Sequence, residues 1–500
     1  MKGVALHIIF LLVAMAVLCG CSEERRITTQ SAQALEFYDS GVSQWEKFYY
    51  SEALRAFDEA ILLDSNFAMA WARRAVLDEA TQNRPKALVD IARASSLRPL
   101  VSGYEQMFIR LQSYRLNYSN QQAMDLADSM ILMYPEEKEV HLIRGNLYEF
   151  EKNFEDAIRS YKKAIRVDTA YALAVMSLGY AYSTMGEQEK AVEQMERYIR
   201  LAPDAADPRA SFADILLRVG RYDEALDQYQ QSLQLKPDYW YSVNQIGVIY
   251  LLKGRLNAAN DQFHKGFAAL PESPQLKATN FAVDGNLNVL RGQYKEATRQ
   301  YMEALQVDSL NIEAAFGLVS AYRKLGEFKR AHEMLENIHE ELEHRNLLES
   351  QSMLRFNLAK SRVLLDEQQP ESARAFCDSA LEFTTTLTRG PVFQQLAEID
   401  IRERQYEDAF DACEEALRLN PNYPDALLTL AKAYHATGDA AMTGEIASRL
   451  FEFWKDADPD FVNRRDLQNL VGTRRVAPSS RSFSPRMIAA MIRTNPTVIH

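Results

Sequence analysis

The chain has 500 residues, of which 47% are apolar and 25% are charged, and its formal net charge is -12. Its 16 prolines and 19 glycines are too few for a disordered or collagen-like chain. The acidic balance argues against a nucleic-acid-binding protein, because such proteins need cations to displace the counterions of the phosphates.

The first 21 residues predict an export signal. Lys2 precedes an apolar run over Val4–Leu18, which is too short for a membrane span and is followed by no second apolar run. The segment ends in Leu18-Cys19-Gly20-Cys21. This ending resembles the bacterial lipoprotein box, in which a cysteine behind small residues is acylated. The resemblance implies that residues 1–21 are a signal peptide and that acylated Cys21 anchors the chain to a membrane. An ordinary cleaved signal is the alternative.

The residue after Cys21 indicates which of the two bacterial membranes holds the anchor. Ser22 stands where, in proteobacterial relatives, an aspartate favours retention in the inner membrane. The resemblance therefore implies the outer membrane of a bacterial envelope, with the chain facing the periplasm. We predict that residues 22–33 form a polar linker from the anchor.

An alanine then recurs at a nearly fixed spacing, and six of the ten steps are 34 residues. A period of this size indicates about twelve copies of one small unit, each packed on its neighbours. The anchor positions are Ala53, Ala87, Ala123, Ala157, Ala191, Ala225, Ala259, Ala297, Ala331, Ala373 and Ala409, and one more step reaches Thr443.

Other positions repeat with the anchor alanine, which we number 0. Most repeats have Gly or Ala at -12, and many have Gly at -5, an aromatic residue at +4 and Pro at +12. Glycine at -5 ends a first helix and proline ends a second one, while the small residues let the two helices approach closely. The pattern resembles the tetratricopeptide repeat. The resemblance implies an all-α fold, a right-handed superhelical solenoid of about twelve helix-turn-helix repeats.

The domain boundaries follow from the repeat. Two anchors near residue 340 are 42 residues apart, which predicts an insert, and the tail carries five arginines and no acidic residue. We predict a repeat array over 34–338, an irregular insert over 339–353, further repeats over 354–458, a cap over 459–471 and a basic, disordered tail over 472–500.

No segment outside the array is long enough for a catalytic domain, so we predict that the protein is not an enzyme and holds no cofactor or metal. His339, Glu340 and His344 come near the HExxH zinc pattern. However, a spacing of five residues places the two imidazoles on different sides of a helix. Cys377 and Cys413 occupy position +4 of adjacent repeats. We expect them to be buried small side chains and not a disulfide.

One face of the first helices is the expected binding surface, because in the resembling family the first helix of each repeat lines the concave side. Positions -18, -15, -11 and -8 share one face of that helix, and we call them the stripe. We predict a peptide groove lined by Leu142, Asn146, Met176, Tyr180, Tyr241, Asn244, Val248, Asn286 and Phe316.

The stripe contains no Lys or Arg from Glu139 to Ser320. The cationic clamp with which some relatives hold carboxylate termini is therefore not expected there. Its asparagines suit the main chain of a bound segment, and its Met and aromatic residues offer adaptable contacts. The charge favours a basic or neutral segment. The alternative for each position is packing against the neighbouring repeat.

Together these features predict a scaffold that is anchored through Cys21 and binds an envelope protein in the groove, in secretion, pilus or outer-membrane assembly. The resemblance is to the general layout of repeat-bearing lipoproteins. A component of a cell-wall or polysaccharide synthesis or export system is the first alternative, and an enzyme is the second.

Overall fold

The computed structural model describes most of the chain as helix. In the described part there are 25 α-helices and no β-strand, so the all-α prediction is confirmed. No described helix is long and apolar enough to cross a membrane. The predicted signal peptide with Cys21, and the tail after Gly472, lie outside the described residues. The structure describes residues 27–81, 83–268, 270, 272–345, 351–385, 388–418 and 420–472.

The chain divides into two compact units between Val175 and Met176. Unit 1 contains eight complete helices and the start of a ninth. They are α1 (Ala32–Glu46), α2 (Tyr50–Leu63), α3 (Ala68–Ala80), α4 (Arg84–Leu97), α5 (Gly103–Leu116), α6 (Asn120–Met133), α7 (Lys138–Phe150), α8 (Phe154–Val167) and α9 (Ala172–Thr184), with a 3-10 turn at Arg98–Leu100.

Unit 2 contains the rest of α9 and the remaining helices. They are α10 (Gln188–Leu201), α11 (Asp207–Arg218), α12 (Tyr222–Leu235), α13 (Trp240–Leu252), α14 (Leu256–Ala268), α15 (Pro274–Arg291), α16 (Tyr294–Val307), α17 (Ile312–Leu325), α18 (Phe328–His344), α19 (Gln351–Asp366), α20 (Pro370–Leu381), α21 (Gly390–Glu403), α22 (Tyr406–Leu417), α23 (Pro424–Ala436), α24 (Ala440–Phe453) and α25 (Val462–Val471).

Successive helices pair into twelve hairpins, from α1 with α2 to α23 with α24. Each anchor alanine lies in the second helix of its pair and is fully buried, and Thr443 is 4% exposed. The turn position -5 has a positive φ, which glycine adopts without strain, as at Gly220 (76°) and Gly326 (73°). The same turn forms with Phe48 (57°) and Lys152 (60°), so it does not require glycine.

Position -12 is small because the +4 ring of the same repeat lies against it. A Cβ atom built on Gly285 would lie 2.5 Å from Cε1 of Tyr301, and one on Gly145 would lie 2.3 Å from Cε1 of Tyr161. Both tyrosines are buried. In these two repeats the +4 ring therefore fills the space between its two helices, and the hydrogen atom of glycine at -12 leaves room for it.

Two predicted boundaries need correction. Helix α1 begins at Ala32, within the predicted linker, because the Ser31 side chain accepts a hydrogen bond from the backbone N–H of Ala34 and caps it. The predicted irregular insert is largely helical in its described part. Helix α18 continues to His344, held by the buried side chains of Ile338 and Leu342, and α19 begins at Gln351.

Within unit 2 the C-terminal residues pack on the turn between α13 and α14. Trp454 donates from Nε1 to the Leu252 carbonyl at 3.0 Å. The N–H of Asp458 donates to the Gly254 carbonyl at 2.9 Å. Trp454 and Phe461 are buried and share a core with Leu256 and other side chains of α14. The last repeat therefore contacts the seventh repeat as well as its sequence neighbour.

Candidate functional site

The stripe is supported from behind by tyrosines of the second helices. In the fourth repeat, the hydroxyl of Tyr161 (+4) passes beneath Gly145 and donates to Asn146 Oδ1 (-11) at 2.9 Å. It also lies 2.7 Å from Glu149 Oε2 at position -8. A residue of the second helix thus orients two polar groups on the face of the first helix.

The same relationship occurs in the sixth and eighth repeats. Tyr229 donates to Asp214, and Tyr301 donates to Asn286 Oδ1 at 2.7 Å. Each of these three tyrosines at +4 has Asn or Asp at -11 of its own repeat. Where +4 is Phe263, by contrast, position -11 is Val248. Each tyrosine hydroxyl at +4 is therefore matched by Asn or Asp at -11, a pairing that the sequence itself displays.

Asp214 is the centre of the largest polar cluster on the stripe. Its carboxylate accepts from Tyr229 of its own repeat, from Tyr180 of the preceding repeat at 2.9 Å, and from Tyr241 of the following repeat at 2.8 Å. Burial raises the pKa of Asp214, and the three hydroxyl donors oppose that shift. Arg218 lies over the ring of Tyr180, 5.2 Å from its centroid. Two predicted groove residues, Tyr180 and Tyr241, are thus brought together.

A second carboxylate lies deeper in the same unit. Asp207, at -18, accepts from Tyr239 at 2.8 Å, from Tyr198 at 2.9 Å and from Ser211 at 3.2 Å. It is 8% exposed, and burial raises its pKa to about 6, although the three donors favour the ionised form. The helical spacing predicted that Asp207 lies on the stripe. It did not indicate that two tyrosines donate hydrogen bonds to this carboxylate.

The remaining predicted residues differ in exposure. Asn146 and Asn286 are exposed, whereas Met176, Asn244 and Val248 are half-buried.

Two predicted residues at -15 are less available than expected. Leu142 is 8% exposed, so it belongs to the packing of unit 1 and does not line an open face. Phe316 is half-buried, and Arg355 of the next repeat covers it at 4.7 Å from the ring centroid. Position -15 is buried also at Ala210 and Ala282.

Ion pairs hold several charged residues of the stripe, and the sequence did not indicate their partners. In unit 1, Glu139 receives Arg73 through two bonds of 2.5 and 2.8 Å, and Arg73 lies at -14, outside the stripe positions. In unit 2, Arg323 pairs with Asp366 at 2.7 Å, and Lys432 pairs with Glu398 at 2.8 Å. Partners 34 to 66 residues apart leave no local signal in the sequence.

Two histidines of α18, one of them in the pattern that comes near HExxH, contact other side chains. His332 Nε2 lies 2.8 Å from Glu367, and the His339 ring packs 5.4 Å from Phe356. No group of three potential ligands is arranged for a metal in the part of the chain that the structure describes. Cys377 and Cys413 are buried, as expected, and burial raises the pKa of Cys377 to about 11.

Family models of known proteins agree with the repeat. A family model described as tetratricopeptide repeat matches residues 131–206 and 211–270, and a second model with that description matches 400–441. The chain is similar to a solved tetratricopeptide repeat protein from Parabacteroides merdae, at 16% identity and a TM-score of 0.42, over 53% of this chain and 98% of that one. It is also similar to MamA, at 26% identity and a TM-score of 0.29, over 32% of this chain and 93% of MamA. No curated protein matches it.

The matched models fall on hairpins whose anchor residues and turns occupy equivalent places throughout the described array. Repeats of this kind indicate a protein–protein interaction scaffold. The matched segments of the chain are tetratricopeptide repeats.

Proposed function

We propose that this chain is a lipid-anchored scaffold of the bacterial cell envelope, which holds a segment of an envelope protein against the stripe of unit 2. Acylated Cys21 anchors it, on the periplasmic face of the outer membrane. The bound protein belongs to a secretion, pilus or outer-membrane assembly system. The proposal includes no catalytic step, cofactor or metal.

The observation that carries the proposal is the support of the stripe by tyrosine hydroxyls. Asn286 is exposed, and its Oδ1 accepts from Tyr301, so the Nδ2 group is directed away from the core. Because the side chain is already ordered, a partner that bonds to it loses less conformational entropy on binding. An ordered amide on a helix face suits the main chain of an extended or helical segment.

The charge of this surface favours a neutral or basic segment. Between Met176 and Ser320 the stripe carries Asp207, Asp214 and Glu313 but no Lys or Arg. Asp214 is held beside the half-buried rings of Tyr180 and Tyr241, which present apolar surface around a carboxylate. A cationic side chain is attracted to this surface by its carboxylates.

A role in a cell-wall or polysaccharide system is the second candidate. Aromatic rings beside a carboxylate, as at Tyr180, Tyr241 and Asp214, are an arrangement that suits a sugar. However, the two hydroxyls already donate to Asp214, so these polar groups satisfy one another. A peptide main chain, which the exposed asparagines can bond, fits the surface better.

The anchor is tested by labelling cells with a clickable palmitate. Wild-type chain should take up the label and sediment with membranes, and Cys21→Ala should do neither. Label that persists in Cys21→Ala would remove Cys21 as the anchor, and an unlabelled wild type would remove the lipid anchor altogether.

The binding surface is tested by co-isolating partners from crosslinked cells. Replacing both Asn244 and Asn286 by alanine should lower the recovered partner about tenfold, the effect of roughly 1.4 kcal/mol in binding free energy. The matched control is Gln306→Ala, which removes an exposed amide from the second helix α16 and should leave recovery unchanged. Equal recovery from all three chains would contradict the proposed surface.

A further inference from the structure

We propose that one edge of unit 1 rests on the bilayer, with the side chains of Leu62, Leu100, Leu132 and Met133 in the membrane interface. The inference rests on the proposed anchor at Cys21 and adds how the protein is oriented on the membrane. We call this surface the entry edge, and it consists of those four residues and Leu63.

The entry edge follows from the geometry of a helical hairpin. The two helices of each repeat are antiparallel, so the end of the second helix lies beside the start of the first. Leu62 and Leu63 end α2, and Leu132 and Met133 end α6. Leu100 closes the 3-10 turn after α4. Leu62 and Leu132 are 78% and 84% exposed, so these side chains are almost wholly outside the packing of the repeats.

The repeat does not require leucine at these places. Leu62 and Leu132 both occupy position +9. In the other repeats that position is mostly polar or charged, with Ser96, Arg166, Arg200, Gln234, Ala268, Gln306, Glu340, Glu382 and Arg418. Exposed apolar side chains grouped on one edge mark an interaction surface and not a need of the fold.

The chain from the anchor arrives at the same edge. Thr28 donates from its backbone N–H and its hydroxyl to Glu105, at 2.9 and 2.5 Å, and Glu105 is 1% exposed. Thr29 and the N–H of Gln30 donate to Asp64, at 2.6 and 3.0 Å. Asp64 directly follows Leu63, so the first described residues are bound beside the exposed leucines.

The length of the intervening chain limits the distance to the membrane. Six residue steps join Cys21 to Ile27, and at about 3.5 Å each they span roughly 20 Å at most. A lipid on Cys21 therefore keeps the entry edge close to the bilayer. Since residues 28–30 are bound to Asp64 and Glu105, unit 1 is restricted in how it turns about its anchor. The bilayer is therefore the apolar surface that the side chains of the entry edge can reach.

The test measures which edge enters the lipid. The mature chain carries a histidine tag in place of the acylated cysteine and is held on vesicles of phosphatidylethanolamine and phosphatidylglycerol that contain a nickel-chelating lipid. An environment-sensitive fluorophore is attached through Leu132→Cys. Cys377 and Cys413 are buried and do not compete for the label. On vesicles, emission from position 132 should shift to shorter wavelength and be quenched by a spin-labelled lipid.

The matched control is the same fluorophore on Phe150→Cys. Phe150 is 67% exposed, but it ends the first helix α7 and so lies at the opposite end of its hairpin. Its emission should stay that of an aqueous probe. An aqueous signal at position 132, or equal shifts at both positions, would overturn the inference. Because the tag replaces the acyl chain, this outcome is distinct from a failure of palmitate labelling, which overturns the proposed anchor.

Discussion

The hydroxyl of Tyr301, on the second helix of the eighth repeat, lies 2.7 Å from Oδ1 of Asn286 on the first helix. The ring reaches it beneath Gly285, where a Cβ atom would lie 2.5 Å from the ring. Burial raises the pKa of Tyr301 well above its usual range, so the hydroxyl keeps its proton as a donor. One buried tyrosine thus fixes an exposed polar group on the proposed binding surface.

Tyr301→Phe tests this support directly. The ring still fills the space beside Gly285, but the hydrogen bond to Asn286 is lost. We expect the free energy of unfolding to fall by about 1 kcal/mol and partner recovery to fall with it. Urea unfolding and co-isolation measure the two effects. Tyr250→Phe, which changes a half-buried tyrosine of α13, is the control and should stay within about 0.5 kcal/mol of wild type. Equal effects of the two changes would contradict the role given to Tyr301.

The pairing of +4 with -11 predicts a double-mutant cycle in the seventh repeat. Phe263 is 5% exposed and stands where other repeats have the supporting tyrosine. Phe263→Tyr alone places a hydroxyl beside Val248 and should cost about 1–3 kcal/mol of stability. Adding Val248→Asn supplies the acceptor and should recover about 1 kcal/mol or more. Additive effects of the two changes in urea unfolding would show that the pair does not interact.

Much of the fold can be predicted from the sequence because each hairpin is local. Ala53 and Ala409 are 356 residues apart in the chain, yet both are buried at equivalent places. The reason is that the two helices of each repeat pack against each other in the same way. The turn at -5 was predictable where glycine occurs. It also forms at Lys152, because the flanking helices hold a residue at a φ of 60° that its side chain disfavours.

The parts that could not be predicted depend on contacts between distant residues. The pairing of Arg73 with Glu139 joins two repeats through a position outside the stripe. Leu142 could be placed on the stripe face by its spacing, but burial at -15 depends on the neighbouring helix. The contact of Trp454 with Leu252 spans 202 residues, as does the contact of Asn422 with the Gly220 carbonyl. Helical periodicity describes one repeat at a time and does not indicate such contacts.

Trp454→Ala tests the packing of the last repeat on the seventh. Trp454 is fully buried, and its loss should cost about 3–5 kcal/mol in unit 2. Asp458 accepts from the N–H of Asn257 at 2.8 Å and so caps α14. Amide hydrogen exchange should therefore accelerate at Gly254–Asn257, about 200 residues away in sequence. Trp240→Ala, at a residue that is 53% exposed, is the control. Unchanged exchange at that turn would contradict the contact.

Asp207 predicts a pH dependence of stability. Its pKa is about 6 in the folded chain against an ordinary value of 3.8. Because the folded chain keeps this proton where the unfolded chain has lost it, the contribution of Asp207 to stability falls as the pH rises from about 4 to about 6 and is level above. The difference between the two pKa values corresponds to a change of about 3 kcal/mol in the free energy of unfolding.

Asp207→Asn removes this titration. Relative to Asp207→Asn, wild type should therefore lose about 2–3 kcal/mol of unfolding free energy as the pH rises from about 4 to about 7. Urea unfolding of both chains at fixed ionic strength measures this difference. A difference that stays constant over this range would show that Asp207 is ionised in the folded chain throughout.

The most direct test of the proposed scaffold function is site-specific photocrosslinking in intact cells. A photoreactive amino acid replaces Tyr241 on the stripe in one chain and Met302 in another. Met302 is 51% exposed on the second helix α16, outside the stripe. We expect one adduct of defined mass from position 241 and none from position 302, with the adduct reduced by Asn244→Ala and Asn286→Ala together. No adduct at position 241, or the same adduct at both positions, would contradict binding of a protein segment by this surface.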